Sequence, residues 1–173
     1  DTLDHTAMLD NLTGALNQNA FVNLARGELE RARRNQSSLS LIAFHADNFK
    51  AIVDQHGRSV GNDVLTLIAQ GIREKSRPYD GLGRYEGDTF ILILPGVVGA
   101  EAENVAGRIL KGIAHTKITL LDDTELKVDL SVGIVSSGRI TASTEIEALM
   151  NNTREALALA KRAGDNQIYT IYV

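Results

Sequence analysis

The apolar run at positions 39–44 constrains the fold of this chain more than any other feature. It reads Leu-Ser-Leu-Ile-Ala-Phe, with Ser40 as its one polar residue, and polar stretches flank it at 35–38 and 45–48. A strand with one face in water would alternate apolar and polar residues, because successive side chains point to opposite faces. The run therefore predicts a strand that is covered on both faces of its sheet.

Four segments repeat their apolar residues at the spacing of an amphipathic helix. They cover residues 21–32, 64–72, 102–113 and 146–160. Asn17 or Asn19 can cap the first helix, since a short polar side chain can bond the free N–H groups of a first turn. Gly57 and Gly61 are interpreted as loop residues before the second helix, and Gly164 as the end of the fourth.

A polar turn at 85–89 lies between two apolar runs and predicts a β-hairpin, whose second strand ends at Pro95-Gly96. Further strands are expected at 128–135 and 168–173. After the first helix, the order β-α-β-β-α-β-α-β favours an α/β or α+β sandwich. Its single sheet must be mixed, because an internal hairpin pairs antiparallel strands.

Length and composition fit one domain over residues 1–173, with its core at about 10–168. The chain has no cysteine, which removes thiolate nucleophiles and cysteine-bound metals, and its net charge of -4 argues against broad binding to nucleic acid. No apolar run is long enough to cross a membrane, so we expect no membrane contact and a cytoplasmic location. Because the chain begins with Asp, we expect it to be a piece of a longer protein.

Four segments in a fixed order resemble the motifs of GGDEF domains, the diguanylate cyclase family. Residues 10–17, 45–54, 84–90 and 156–166 correspond to D-x-L-T-G-L-x-N, D-x-D-x-F-K-x-I-N-D, R-Y-G-G-D-E-F and A-L-Y-x-A-K-x-x-G-x-N. The resemblance implies the fold of adenylyl cyclase and polymerase palm domains, with a mostly antiparallel sheet of about five strands flanked by helices. It also implies a homodimer in which two GTP molecules are joined to cyclic di-GMP.

The resemblance implies Mg²⁺ as cofactor, held at positions that are here His45, the backbone carbonyl of Ala46, and Asp88. A neutral or cationic imidazole is a poor ligand for Mg²⁺, which prefers carboxylate oxygens. Thr89 removes another acid of the motif. These changes predict poor metal binding, with Asp88 as a vestigial catalytic residue. Glu86 replaces the first glycine of the motif with a bulky carboxylate side chain, which is expected to block the approach of a nucleotide to the backbone of the turn.

The resemblance also assigns nucleotide-binding positions. They are Asn48, Phe49, Lys50, Asn62, Gly87 and Lys161. The family reads guanine with Asn and Asp, and here those positions hold Val53 and Asn62. Valine offers no hydrogen bond and an amide has one acceptor where a carboxylate has two, so discrimination for GTP should fall. Lys50 and Lys161 match the lysines that contact phosphate, although Lys50 can also be read as a merely exposed lysine.

Arg77 and Asp80 stand where many family members carry the R-x-x-D site for inhibition by cyclic di-GMP. An arginine fork can span guanine O6 and N7 while an aspartate accepts from N1 and N2. The alternative is a loop salt bridge without a ligand. Similar alternatives apply to His45 as a strand-end residue and to Asp47 and Asn48 as side chains that cap a turn.

Three functions remain open at this point. The first is a degenerate GGDEF domain without cyclase activity, which acts as a regulatory, ligand-binding or dimerisation module beside neighbouring signalling domains such as EAL. The second is a weakly active diguanylate cyclase whose metal ligands are rearranged around Asp88 and Asp47. The third is a pocket that binds a nucleotide without chemistry.

Overall fold

A computed structural model describes residues 8–173 of the chain. In chain order its elements are α1 (Gln18–Asn35), β1 (Leu39–Ala46), α2 (Phe49–His56), α3 (Arg58–Lys75), β2 (Gly81–Glu86), β3 (Thr89–Pro95), α4 (Gly99–Ala114), β4 (Lys117–Thr119), β5 (Glu125–Lys127), β6 (Leu130–Ser137), α5 (Ile146–Arg162) and β7 (Ile168–Tyr172). All four helices and all five main strands expected from the sequence are present.

The central sheet has five strands in the order β2-β3-β1-β6-β7. Its neighbours are antiparallel except β6 and β7, which run parallel. Strands β4 and β5 form a separate two-stranded hairpin. The expectation of a mixed, mostly antiparallel sheet of about five strands is therefore confirmed.

Strand β1 lies at the centre of this sheet and is buried on both faces. Ile42 and Phe44 belong to the core under α3 and α4, whereas Leu41 and Ala43 belong to the core under α1 and α5. Because β1 also pairs with β3 on one side and β6 on the other, its backbone is bonded along both edges. The apolar run thus builds the middle layer of a three-layer sandwich.

The observed helix ends agree with the predicted ones where the sequence has a cap residue. The Asn17 side chain accepts a hydrogen bond of 2.9 Å from the Ala20 backbone N–H and caps α1. Helix α5 ends at Arg162, two residues before Gly164, whose φ of 121° is a conformation that favours glycine. No helix within residues 8–173 has the length and apolar character needed to span a bilayer.

Other boundaries differ from the sequence expectations. Helix α2 was not expected, because it has only eight residues and buries none of them fully. Gly61 lies inside α3 rather than in a loop, and the strand expected at 128–135 begins at Leu130. The hairpin of β4 and β5 was also missed, because its strands have only three residues each and no buried side chain.

Residues 8–17 extend the sheet beyond β2. The Leu16 N–H donates to the Leu82 carbonyl at 3.0 Å, and the Arg84 N–H donates to the Leu16 carbonyl at 2.8 Å. Leu9 and Leu16 also form an antiparallel bridge with each other. The segment therefore covers the outer edge of β2 and is held beside the hairpin turn.

Helix α5 packs against β6 without a side chain between them at Gly133. A Cβ at this position would lie 2.2 Å from the Leu157 backbone nitrogen and 2.6 Å from the Leu157 Cα. These atoms belong to the helix backbone, so they cannot yield by a simple rotation. The distance between α5 and the sheet is therefore fixed by the absence of a side chain at this position.

We predict that Gly133→Ala lowers the free energy of unfolding by about 1–3 kcal/mol or more, because α5 must move away from β6. The matched control is Gly107→Ala in the middle of α4, where a Cβ meets no atom within 4 Å. This control should stabilise the chain by about 1 kcal/mol, since alanine is the better helix former. Urea denaturation measures both, and an unchanged midpoint for Gly133→Ala would contradict the packing described.

Candidate active site

The turn between β2 and β3 lies beside the end of β1. The register pairs Phe44 with Phe90 and His45 with Thr89, which brings the turn residue Asp88 next to the His45 ring. His45 Nε2 lies 2.8 Å from Asp88 Oδ2, a hydrogen-bond distance. The His45 side chain is 17% exposed and that of Asp88 is 39% exposed, so solvent reaches the pair mainly from the aspartate side.

The surroundings of Asp88 favour its ionised form. The hydrogen bond from His45 lowers the pKa of Asp88 below its usual value, and the charges of His45 and Lys161 act in the same direction. Partial burial opposes these effects without cancelling them. One of the two oxygens of the Asp88 carboxylate is therefore already hydrogen-bonded to the His45 ring.

Asp47 connects three parts of the fold. Its Oδ1 accepts a hydrogen bond of 2.5 Å from Ser131 Oγ on β6, and its Oδ2 accepts one of 3.0 Å from the Asn166 backbone N–H. Turn capping was the alternative role for Asp47 and Asn48. The partners of Asp47 are distant in sequence, and Asn48 makes no side-chain cap bond to α2. Both oxygens of Asp47 are already bonded within the protein.

The donor set at this site does not fit a pair of Mg²⁺ ions. Of the side chains at the two metal positions, only Asp88 is a carboxylate, and it is bonded to His45. Asp47 is held by Ser131 and Asn166. Across residues 8–173, no three side chains of His, Cys, Asp or Glu come together in an arrangement that could hold a metal ion. Since Mg²⁺ requires several oxygen ligands, these residues do not build its site.

A cleft of about 360 Å³ opens beside the turn. Its walls are α2, the first two turns of α3, and the hairpin turn. The lining residues are Phe49, Lys50, Val53, Arg58, Gly61, Asn62, Leu65, Arg84, Gly87 and Asp88. Of the six nucleotide-binding positions expected from the sequence, the structure brings Phe49, Lys50, Asn62 and Gly87 into this cleft. Asn48 and Lys161 lie outside its lining.

The cleft contains a cation that the sequence analysis missed. Arg58 is the first residue of α3 and lines the cleft together with Asn62, four residues later on the same helix face. This spacing was the available signal, but the assignment of Gly57 and Gly61 to a loop obscured it. Within the described part of the chain, neither Arg58 nor Lys50 forms an ion pair.

Arg84 joins the N-terminal segment to the hairpin turn. Its Nη1 lies 3.1 Å from Asp10 Oδ1, and its Nε donates to the Gly87 carbonyl at 2.8 Å. Burial raises the pKa of Asp10, but hydrogen bonds from Thr13 and the charge and hydrogen bond of Arg84 outweigh it and leave that pKa lowered. The first and third sequence motifs are therefore joined by hydrogen bonds. The sequence did not reveal this contact, because Asp10 and Arg84 are 74 residues apart.

Glu86 points away from the cleft. It does not line the cleft, and its Oε1 lies 3.6 Å from Arg154 Nη1 on α5. The side chain at this glycine position therefore lies outside the cleft whose turn it was expected to block.

Arg77 and Asp80 form a tight pair in the loop before β2. Arg77 Nη2 lies 2.8 Å from Asp80 Oδ1, Arg77 Nε is 3.1 Å from both carboxylate oxygens, and the Arg77 backbone N–H donates to Asp80 Oδ2 at 2.8 Å. The Asp80 side chain is 1% exposed, whereas Arg77 is 39% exposed and lies over the Tyr79 ring at 4.4 Å. The hydrogen bonds to Asp80 raise the pKa of Arg77.

Comparison with known proteins identifies the family. The model of the family described as diguanylate cyclase, GGDEF domain, matches residues 7–167. The chain belongs to the GGDEF domain family. Membership of this family explains both the four sequence motifs and the mixed five-stranded sheet of this GGDEF domain.

One relative and two solved structures illustrate the likeness. Diguanylate cyclase DosC of Escherichia coli K12 is 29% identical over 164 residues, which cover 95% of this chain and 35% of that protein. The structure of diguanylate cyclase SiaD from Pseudomonas aeruginosa, in complex with its activator SiaC, has a TM-score of 0.90 at 29% identity, and the match covers 98% of this chain and 64% of that one. The GGDEF domain of DgcB from Caulobacter crescentus, in complex with c-di-GMP, has a TM-score of 0.88 at 22% identity, over 95% and 93% of the two chains.

We predict that His45→Ala raises the pKa of Asp88, because its strongest stabilising hydrogen bond is lost. A folded-state pKa below the unfolded one means that the pair stabilises the fold above the unfolded pKa and that this contribution is lost as pH falls through the folded pKa. The measurement is an NMR titration of the aspartate carboxyl carbons in both proteins. Asp122 is the internal control, since its pKa is lowered by Thr124 in another loop and should not change. An identical Asp88 titration in both proteins would refute the pairing.

Proposed function

We propose that this GGDEF domain is a regulatory module of cyclic di-GMP signalling that binds a ligand or a second copy of itself and does not make cyclic di-GMP. The observation that carries this proposal is the hydrogen bond between His45 and Asp88. It places an imidazole at the position of a metal-binding carboxylate and occupies an oxygen of the remaining carboxylate.

The chemistry of diguanylate cyclases explains why this pair matters. A ribose 3′-hydroxyl must attack an α-phosphate while pyrophosphate leaves, and the charge that builds up on the phosphate oxygens needs cations held by hard oxygen ligands. Here Asp47 is bonded to Ser131 and Asn166, so it is not available as a substitute. This engagement counts against the alternative of a weakly active cyclase with ligands rearranged around Asp88 and Asp47.

The residues at the two guanine-reading positions support the same conclusion. Val53 and Asn62 line the cleft where the family reads guanine. A bound GTP would lose hydrogen bonds on its Watson–Crick edge, at a typical cost of about 1–3 kcal/mol for each buried polar group left unpaired. GTP should therefore bind this cleft weakly, independently of the metal.

A regulatory module needs partners, and we infer that this one acts beside other domains. The chain spans about a third of the length of DosC, which leaves most of that relative outside the match. SiaD has been crystallised with an activator protein, so a GGDEF domain can be part of such a complex. We propose neighbouring signalling domains such as EAL and a homodimer as the setting in which residues 8–173 work.

The test is incubation of the protein with GTP and either Mg²⁺ or Mn²⁺, followed by detection of cyclic di-GMP by chromatography. We expect no product. The combined variant His45→Asp, Thr89→Glu, Val53→Asn, Asn62→Asp restores the acids and the guanine-reading side chains, and it should bind GTP more tightly in the presence of Mg²⁺. Turnover by the unmodified protein would refute the proposal and support the weakly active cyclase.

We also propose that cyclic di-GMP binds at Arg77 and Asp80. Arg77 is partly exposed and stacks on Tyr79, which offers a planar cation and an aromatic ring to a guanine base. Asp80 is buried and bonded to Arg77, so a guanine that accepts from Arg77 must share or displace that pair. The alternative of a salt bridge without ligand predicts no binding.

Calorimetric titration with cyclic di-GMP distinguishes the two. We expect binding by the parent protein and a loss of about tenfold or more in affinity for Arg77→Lys, which keeps a positive charge beside Asp80 but lacks the two-pronged fork. Arg139→Ala, in the loop after β6, is the control and should bind like the parent. Absence of binding by the parent would leave the salt bridge as the whole role of these residues.

A further inference from the structure

The residues that line the cleft beside the turn carry more positive than negative charge. Its one acidic lining residue, Asp88, is bonded to His45, and the lining residue Arg84 is paired with Asp10. Lys50 and Arg58 line the same cleft and form no ion pair with any residue of the described chain. The lining therefore carries three cations against one carboxylate, and two of those cations are unpaired, so the cleft suits an anionic ligand.

These positive charges do not depend on a bound metal. In a site with two free carboxylates, a phosphate ligand is repelled unless divalent cations neutralise the acids. Here the lining holds one acid, Asp88, and the cations of Lys50, Arg58 and Arg84 outnumber it without any metal. A phosphate group can therefore enter this cleft without Mg²⁺.

The remaining walls are apolar with a single amide. Phe49, Val53 and Leu65 line the cleft, and Val53 packs against Gly61 so closely that a Cβ there would lie 2.7 Å from Val53 Cγ2. The Asn62 side-chain amide has no hydrogen-bond partner within residues 8–173 and is free to bind a ligand. Flat apolar walls with one free amide are suited to a planar base.

An amide and a valine together favour adenine over guanine. The Watson–Crick edge of adenine presents one donor, one acceptor and an apolar C–H, which match the amide of Asn62 and the methyl groups of Val53. Guanine carries an additional amino group at the position of that C–H. Beside Val53 this donor would lose water without gaining an acceptor, which makes guanine the poorer ligand.

We propose that this cleft binds an adenine nucleotide without a divalent metal, with its phosphates on Lys50 and Arg58 and its base against Asn62 and Val53. The inference rests on the proposed function, because both place a ligand in a cleft that does not carry out cyclisation. It adds the ligand class, the metal independence and the residue that selects the base.

The experiment is calorimetric titration of the protein with AMP, ADP, GMP and GDP, each in excess EDTA and again with Mg²⁺. The adenine nucleotides should bind at least about fivefold more tightly than the guanine nucleotides, since one good pair of base contacts typically discriminates by that much or more. EDTA should change the dissociation constant by less than about twofold. Equal affinity for both bases, strict dependence on Mg²⁺, or no binding of adenine nucleotides would each overturn the proposal.

Two variants test the assigned roles. Asn62→Asp changes one amide to a carboxylate of the same shape, so the fold should be kept while the preference shifts toward guanine, whose two donors a carboxylate can accept. Lys50→Ala combined with Arg58→Ala should weaken binding of all four nucleotides by about tenfold or more. Lys111→Ala on α4 is the control for loss of a surface charge and should leave every affinity unchanged. Retained base preference in Asn62→Asp would refute the role of that residue.

These outcomes are distinguishable from failure of the proposed function. The regulatory assignment fails only if GTP is converted to cyclic di-GMP. The adenine inference fails on the binding data alone, whether or not any product forms. A protein that binds no nucleotide and makes no product would refute the inference and leave the regulatory assignment standing.

Discussion

Strand β1 determines where every part of the site lies. It is buried on both faces and bonded to β3 and β6 along both edges. A slip by one residue would push Ile42 and Phe44 into the space that Leu41 and Ala43 fill, and it would break the pairing of backbone groups. Its end is correspondingly rigid. The register that buries the core also places His45 opposite Thr89 and within reach of Asp88.

The fold was predictable from the sequence wherever one face of an element is buried. The run at 39–44, the four amphipathic helices and the hairpin at 85–89 all produce periodic patterns, because burial selects apolar residues at the repeat of the element. Helix α2 and the hairpin of β4 and β5 lie on the surface and bury no side chain fully. Their apolar residues are few and only partly buried, so the pattern was too short to reveal these elements.

The site was predictable only in part. The motif segments contain Lys50 and Asp88, the family resemblance also assigned Asn62, and the structure brings all three residues to the lining of one cleft. The hydrogen-bond partners could not be foreseen, because Asp47 bonds to Ser131, 84 residues away. Arg58 stands outside the quoted motif segments, and only its position on α3 shows that it shares a face with Asn62. Long-range pairing and helix phase both require the assembled fold.

Residues 8–17 limit how far this domain can be shortened at its N-terminal side. The Leu16 backbone is hydrogen-bonded to the Leu82 carbonyl and the Arg84 N–H, which would otherwise be unpaired at the edge of the sheet. In a polypeptide that started after Asn17, those backbone groups would be unpaired at an exposed edge strand. Exposed edge strands can pair with strands of other molecules and so promote aggregation. Such a shortened protein should aggregate more readily, and it would also lack the core residue Ala15 and the Asn17 side chain that caps α1.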